Sequence, residues 1–115
     1  MKTHKMKLRE EPFYKIKNGL KTIELRLYDE KRREIQVNDE IIFENLETNE
    51  AIRTKVIALY IFDTFKELYD NLPLNECGYK YEEIENASYT HMEKYYPLEK
   101  QKQYQVVGIK IELCK

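Results

Sequence analysis

The apolar residues of this chain change period at Gly19, and that switch constrains the fold more than any other feature. Phe13 and Ile16 before it, and Leu20 directly after it, recur at helical spacing behind Pro12. Proline suits a first helical turn, where its missing N–H would have had no partner. Gly19 takes a left-handed backbone readily, so it reads as the helix stop. After it, Thr22-Ile23-Glu24-Leu25-Arg26-Leu27-Tyr28 alternates polar and apolar without exception, the period of a half-buried strand. Ile23, Leu25 and Leu27 then face the core, and Thr22, Glu24 and Arg26 share the opposite face. A helix stop followed at once by such a strand demands a mixed α and β fold.

The flanking segments extend that pattern. Residues 3–8 predict a first strand, and Arg9 to Gly19 a short helix. Asp29 to Glu34 reads as a charged connector, and Val37-Asn38-Asp39 as a turn with Asn38 at positive φ. Ile41-Ile42-Phe43 is a strand, Glu47-Thr48-Asn49 a hairpin turn, and Ala51 to Phe62 a long return strand. Asp63 or Thr64 caps a helix through Phe65, Leu68 and Tyr69, which Pro73 ends. Tyr81 to Tyr96 reads as mostly helical, interrupted around Asn86-Ala87-Ser88 and closed by Pro97. Tyr104 to Leu113 is a final strand rich in Val and Ile. The expected class is α+β: a mostly antiparallel sheet curled into a small barrel, with helices near one end.

At 115 residues, with no repeat and no Ser/Gly-rich linker, residues 1–115 read as one domain. Tyr 10 and Phe 4 supply core bulk, while Gly 3 and Pro 3 exclude a linker or low-complexity chain. No apolar run approaches the roughly 20 residues of a membrane span, and the N-terminus lacks a signal-type apolar segment. Cys77 and Cys114 are too few for a disulfide framework, so the expectation is a cytoplasmic protein with two free thiols and no membrane association. The net charge of -1 is unevenly spread: residues 1–35 hold 11 basic against 6 acidic side chains, and the rest 9 against 15. That basic first third is either a footprint for an anionic ligand or a solvated face.

The densest polar constellation runs from Gly19 to Arg26. Lys21 arrives at the strand's start, and Thr22, Glu24 and Arg26 succeed it in a row, each roughly 7 Å from the next. Lysine is a point donor for phosphate, arginine a planar fork for phosphate or a base edge, and glutamate accepts from an amino group. The same spacing also suits a solvent-exposed strand whose opposite charges merely pair.

Gly19-x-Lys21-x-x-Glu24-x-Arg26 resembles the Gly-x-Lys-x-x-Glu-x-Arg signature of ASCH-domain proteins, a branch of the PUA-like superfamily. Phe13 to Gly19 resembles the family's segment before the signature. Asp29 to Arg33, Val37 to Phe43 and Tyr104 to Ile109 resemble its segments after the signature. Asn38 stands where the family has Gly in a Val-Gly-Asp turn, and asparagine also accepts left-handed geometry. The resemblance implies a β-barrel of five or six strands with helices closing its openings. It also implies a cleft beside the signature strand that binds RNA or nucleotides. Lys21, Glu24 and Arg26 would line that cleft, and Gly19 would keep the backbone close.

Some small ASCH-like relatives are amidohydrolases that deacetylate N4-acetylcytidine, with a Lys at the Lys21 position, a Thr three residues on and a later Glu. Here Glu24 occupies the Thr position, and a carboxylate cannot replace a hydroxyl nucleophile without a change of mechanism. Thr22 lies on the same face one pleat earlier, and the later Glu falls near Glu82, Glu83 or Glu85. If the chain is an enzyme, Lys21 and Glu24 are its catalytic candidates, with Glu24 activating water and Lys21 stabilising the oxyanion. Other relatives have been linked to RNA cleavage, a third chemistry that these side chains would suit.

Lys31-Arg32-Arg33 comes after the signature strand, and Lys31 and Arg32 are candidates for a phosphate backbone or for a solvated connector. Tyr79, Tyr81, Tyr89, Tyr95 and Tyr96 are candidates for base stacking at the cleft's rim or for core packing. His4, Cys77, His91 and Cys114 lack metal-ligand spacing, and no phosphate loop or dinucleotide motif is present. No metal or other cofactor is expected. The small enzyme is the competing class, a protein-interaction module using the acidic remainder of the chain is a third, and nothing in the pattern sets an oligomeric state.

Overall fold

The alternating segment forms a strand over Ile23–Leu27 in the computed structural model, which describes residues 1–114. It is β2 of five strands: β1 (Thr3–Leu8), β2, β3 (Glu40–Asn45), β4 (Ala51–Phe62) and β5 (Val106–Leu113). They form one mixed sheet in the order β1-β3-β4-β5-β2, curled into a half-barrel. Only β1 and β3 run parallel; the other three pairings are antiparallel. The chain leaves β1 through α1 (Glu10–Lys17), crosses to the far edge as β2, and returns to place β3 beside β1. This is the α+β architecture of a PUA-like small barrel.

The edges of these elements follow from local chemistry. Asn18 and Gly19 close α1, with Gly19 at φ 77. Asn38 and Asn49 take φ 80 and 64 at the two turns flanking β3, as short polar side chains tolerate. A helical turn, α2 (Glu30–Arg33), comes after β2. Thr64 caps α3 (Phe65–Asn71) by accepting from the Glu67 N–H. The Tyr81–Tyr96 segment is broken where the sequence indicates, into α4 (Tyr81–Ile84) and α5 (Thr90–Glu93).

Two expectations are corrected by the structure. The charged connector after β2 is in part helical, because Asp29 accepts from the Arg32 N–H at 3.1 Å and caps α2. Pro97 does not close a helix but opens one, α6 (Leu98–Tyr104), since its fixed φ of -56 suits a helix start as well as an end. Tyr104 is therefore helical; Gln105 turns the corner at φ 69 and β5 starts at Val106.

Two apolar clusters stabilise the sheet. Phe13 and Ile16 of α1 pack with Met6, Phe43, Val107 and Ile109 on the inner face. Phe65 and Leu68 of α3 pack with Ile23, Leu25, Leu27 and Val106 on the other. A bulge between Val56 and Ala58 shifts the phase of β4, so Ile52, Val56 and then Leu59 all reach the inner cluster. Buried Gln101 joins α6 to α3, accepting from the Phe65 N–H at 2.9 Å and donating to the Tyr96 carbonyl at 2.8 Å.

Candidate functional site

Lys21 is held by backbone on both sides. Its own N–H and that of Leu20 donate to the Lys15 carbonyl, at 3.1 and 2.8 Å, which completes the helix stop. The N–H groups of Thr22 and Ile23 both donate to the Glu76 carbonyl, at 2.8 and 2.9 Å. Gly19 serves the turn through its positive φ, and a Cβ at that position would meet no atom of the protein within 4 Å.

From this anchored start, Lys21, Glu24 and Arg26 converge. The Lys21 Nζ lies 2.7 Å from Glu24 Oε1. Arg26 donates to the other oxygen, Oε2, through Nε at 3.0 Å and Nη2 at 2.8 Å. Glu24 is only 3 % exposed. The pairing of opposite charges expected as one alternative is present, but not the solvent exposure that went with it. Across the ladder Glu24 pairs with Ile109 and Arg26 with Val107, both in the inner cluster, and directly paired side chains share a face. The polar face of β2 therefore turns into the concavity of the sheet, and both faces of the strand are covered.

Burial works to raise the Glu24 pKa, but Lys21 and Arg26 outweigh it and hold the carboxyl below the ordinary value. Burial likewise opposes the Arg26 charge, yet Glu24 and Tyr96 hold its pKa above the usual arginine value. Two cations around one carboxylate leave a net positive charge in a poorly solvated place, an attractive field for an anion.

The two cations face different spaces. Lys21 lines a cavity of about 380 Å³ with Tyr69, Tyr79, Tyr95, His91 and Cys77. There the Tyr69 and Tyr79 hydroxyls lie 2.7 Å apart, with His91 Nδ1 3.5 Å beyond Tyr79. Arg26 lines a second groove, of about 570 Å³, with Lys31 and Arg32. The seven candidate residues thus do not form one cluster. Lys21, Glu24 and Arg26 are joined; Lys31 and Arg32 join them only through Arg26. Thr22 turns away, donating from Oγ1 to Glu76 Oε1 at 2.9 Å, and Gly19 borders a separate hollow with Leu20 and Tyr81.

Of the later glutamates, Glu83 lines the Lys21 cavity, Glu82 borders the Gly19 hollow, and Glu85 is exposed at the end of α4. The tyrosines divide similarly: Tyr79 and Tyr95 line the cavity, while Tyr96 stacks on Phe65 at 5.7 Å and Tyr89 packs in the outer cluster. Among the described residues, no three His, Cys, Asp or Glu side chains converge as a metal ion would need. Sequence reasoning missed Glu76, the partner of Thr22, for which no local signal exists. It also missed Lys5 and Lys7 of β1, which line the Arg26 groove and which the alternation of residues 3–8 places on one face.

A family model described as the ASCH domain matches residues 6–115. The chain is 37% identical to hypothetical protein PH0355, whose crystal structure superposes with a TM-score of 0.81 over 97% of this chain and 99% of that one. It is 34% identical to protein PF0455 from Pyrococcus furiosus, solved by NMR in solution, with a TM-score of 0.75 over 98% of each chain. No curated protein matches.

Proposed function

This chain belongs to the ASCH domain family, and from that premise we propose that it binds RNA or a nucleotide, with Lys21 and Arg26 meeting phosphate and Glu24 holding both in place. The observation that carries this reading is the buried Lys21–Glu24–Arg26 triad, whose surplus positive charge stands between an aromatic cavity and a basic groove. Aromatic side chains offer faces to an unstacked base, and fixed cations offer charge-assisted hydrogen bonds to its phosphate. The hydrolase reading has less support. A carboxylate held below its ordinary pKa by two cations is a weak base, and Thr22 is engaged by Glu76 rather than by Lys21.

The test is a paired gel assay on end-labelled RNA, structured and single-stranded, with wild type, Lys21→Ala and Arg26→Lys, each variant checked by circular dichroism. A native shift is expected, weakened by about 1–3 kcal/mol in each variant, the scale of a charge-assisted contact. Equal affinity in all three proteins at low salt would overturn the reading. Scission on the denaturing half, lost in Lys21→Ala, would replace binding with nuclease action.

A further inference from the structure

The groove beside Arg26 is richer in charge than one phosphate requires. Lys5 and Lys7 enter it from β1, Arg26 from β2, and Lys31 and Arg32 from α2, against the single carboxylate of Glu44. At about 570 Å³ it is larger than the aromatic cavity on the Lys21 side. Arg26 is already committed, to Glu24 and, through Nη2, to the Lys7 carbonyl at 3.2 Å. Arg32 is held by one ion pair, Nη1 to Asp29 Oδ2 at 3.3 Å, and its buried Nε has no hydrogen-bond partner among the described residues; Lys5, Lys7 and Lys31 are exposed.

Resting on the proposed binding of RNA or a nucleotide, we infer that the ligand is a single-stranded RNA of several nucleotides, not a free nucleotide, and that this groove is the track for its backbone. A mononucleotide would use the triad and leave the exposed Lys5, Lys7 and Lys31 facing solvent. A chain uses both compartments: one unstacked base enters the aromatic cavity on the Lys21 side, and the phosphates next to it run along the groove on the Arg26 side. The Glu24 carboxylate, gripped from both sides, sets the two compartments in register.

Salt dependence separates the possibilities, because each phosphate contact on a single strand contributes roughly 0.7 to the slope of log affinity against log salt. The probe is a fluorescein-labelled RNA of about eight nucleotides, the scale of a single-strand site, titrated by anisotropy against competing nucleoside monophosphates. Lys5→Gln/Lys31→Gln alters two exposed side chains outside the ion triad. It should lower the slope by about 1.4 and weaken the oligonucleotide roughly tenfold or more at low salt, with the mononucleotides unaffected. An unchanged slope in that variant, with binding still lost in Lys21→Ala, would overturn the track while leaving nucleotide binding standing. Mononucleotides competing as tightly as the oligonucleotide would do the same. Binding of neither probe by wild type would remove the parent reading and this one together. A polyglutamate peptide bound as tightly as the RNA would make the groove a general polyanion surface and overturn the assignment to RNA.

Discussion

The Arg26 guanidinium reaches from β2 to the backbone carbonyl of Lys7 on β1, 3.2 Å away, spanning the two edges of the sheet that no ladder joins. The same group grips Glu24 through two nitrogens, so one side chain closes the seam and balances a buried charge. Arg26→Ala leaves Glu24 with Lys21 alone and opens the seam. The expected loss is about 3–5 kcal/mol, the scale for breaking a buried ion pair. Arg26→Lys keeps the charge without the planar fork and should fall between that variant and wild type. Urea unfolding midpoints decide it, and equal midpoints for Arg26→Ala and wild type would show that the seam needs no such bridge.

Gly78 makes room for Lys21. It sits at φ 106, and a Cβ there would lie 3.3 Å from Lys21 Cδ. Gly78→Ala is therefore strained in its backbone and presses on the lysine stem, with an expected cost of about 1–2 kcal/mol. It should also weaken nucleotide binding without altering any charge. A variant with wild-type stability and affinity would show that the loop adapts.

Acid sensitivity has a defined source at the start of β1. Asp39 accepts from His4 Nε2 at 2.8 Å, from the Gln36 N–H at 3.0 Å and from the Lys2 N–H at 3.1 Å. The His4 contact, helped by those N–H groups and opposed by burial, holds its pKa at about 2 against 3.8 in the unfolded chain. The unfolded state takes up its proton first, so this stabilisation is complete above the unfolded value and is lost as pH falls from there through the folded one. Glu24, also lowered, acts in the same direction. Asp39→Asn should be less stable at neutral pH and should show a flatter acid limb in thermal melts. An acid limb of unchanged slope would assign the effect elsewhere.

The two thiols should differ sharply in reactivity. Burial pushes the Cys77 thiol up to about 12, whereas Cys114 is exposed. Thiolate is the reactive form, so a colorimetric thiol titration of the native protein should count one fast group at mildly alkaline pH, and two after unfolding. Two fast groups in the native state would mean that the loop carrying Cys77 opens readily.

Much of the candidate site is legible in the sequence because it is local. The period change at Gly19, the cap at Thr64 and the turn at Asn38 each depend on residues a few positions apart, and each stands where the pattern puts it. The helix opened by Pro97 escapes a local reading, since proline serves either end of a helix. Glu76 leaves no trace in the spacing, because its contact with Thr22 joins distant parts of the chain.

Alternation along β2 is enough to put Glu24 and Arg26 on one face and Ile23, Leu25 and Leu27 on the other; that Lys21, which precedes the strand, joins the first two was implied by the resemblance to the family signature and not by the period. Whether that polar face met water or the core was a matter for tertiary packing. Alternation specifies only two opposite sides; β5, arriving from the far end of the chain, lays Ile109 beside Glu24 and Val107 beside Arg26. Once that side is buried, an unpaired charge costs too much to keep, and the three side chains hold one another instead.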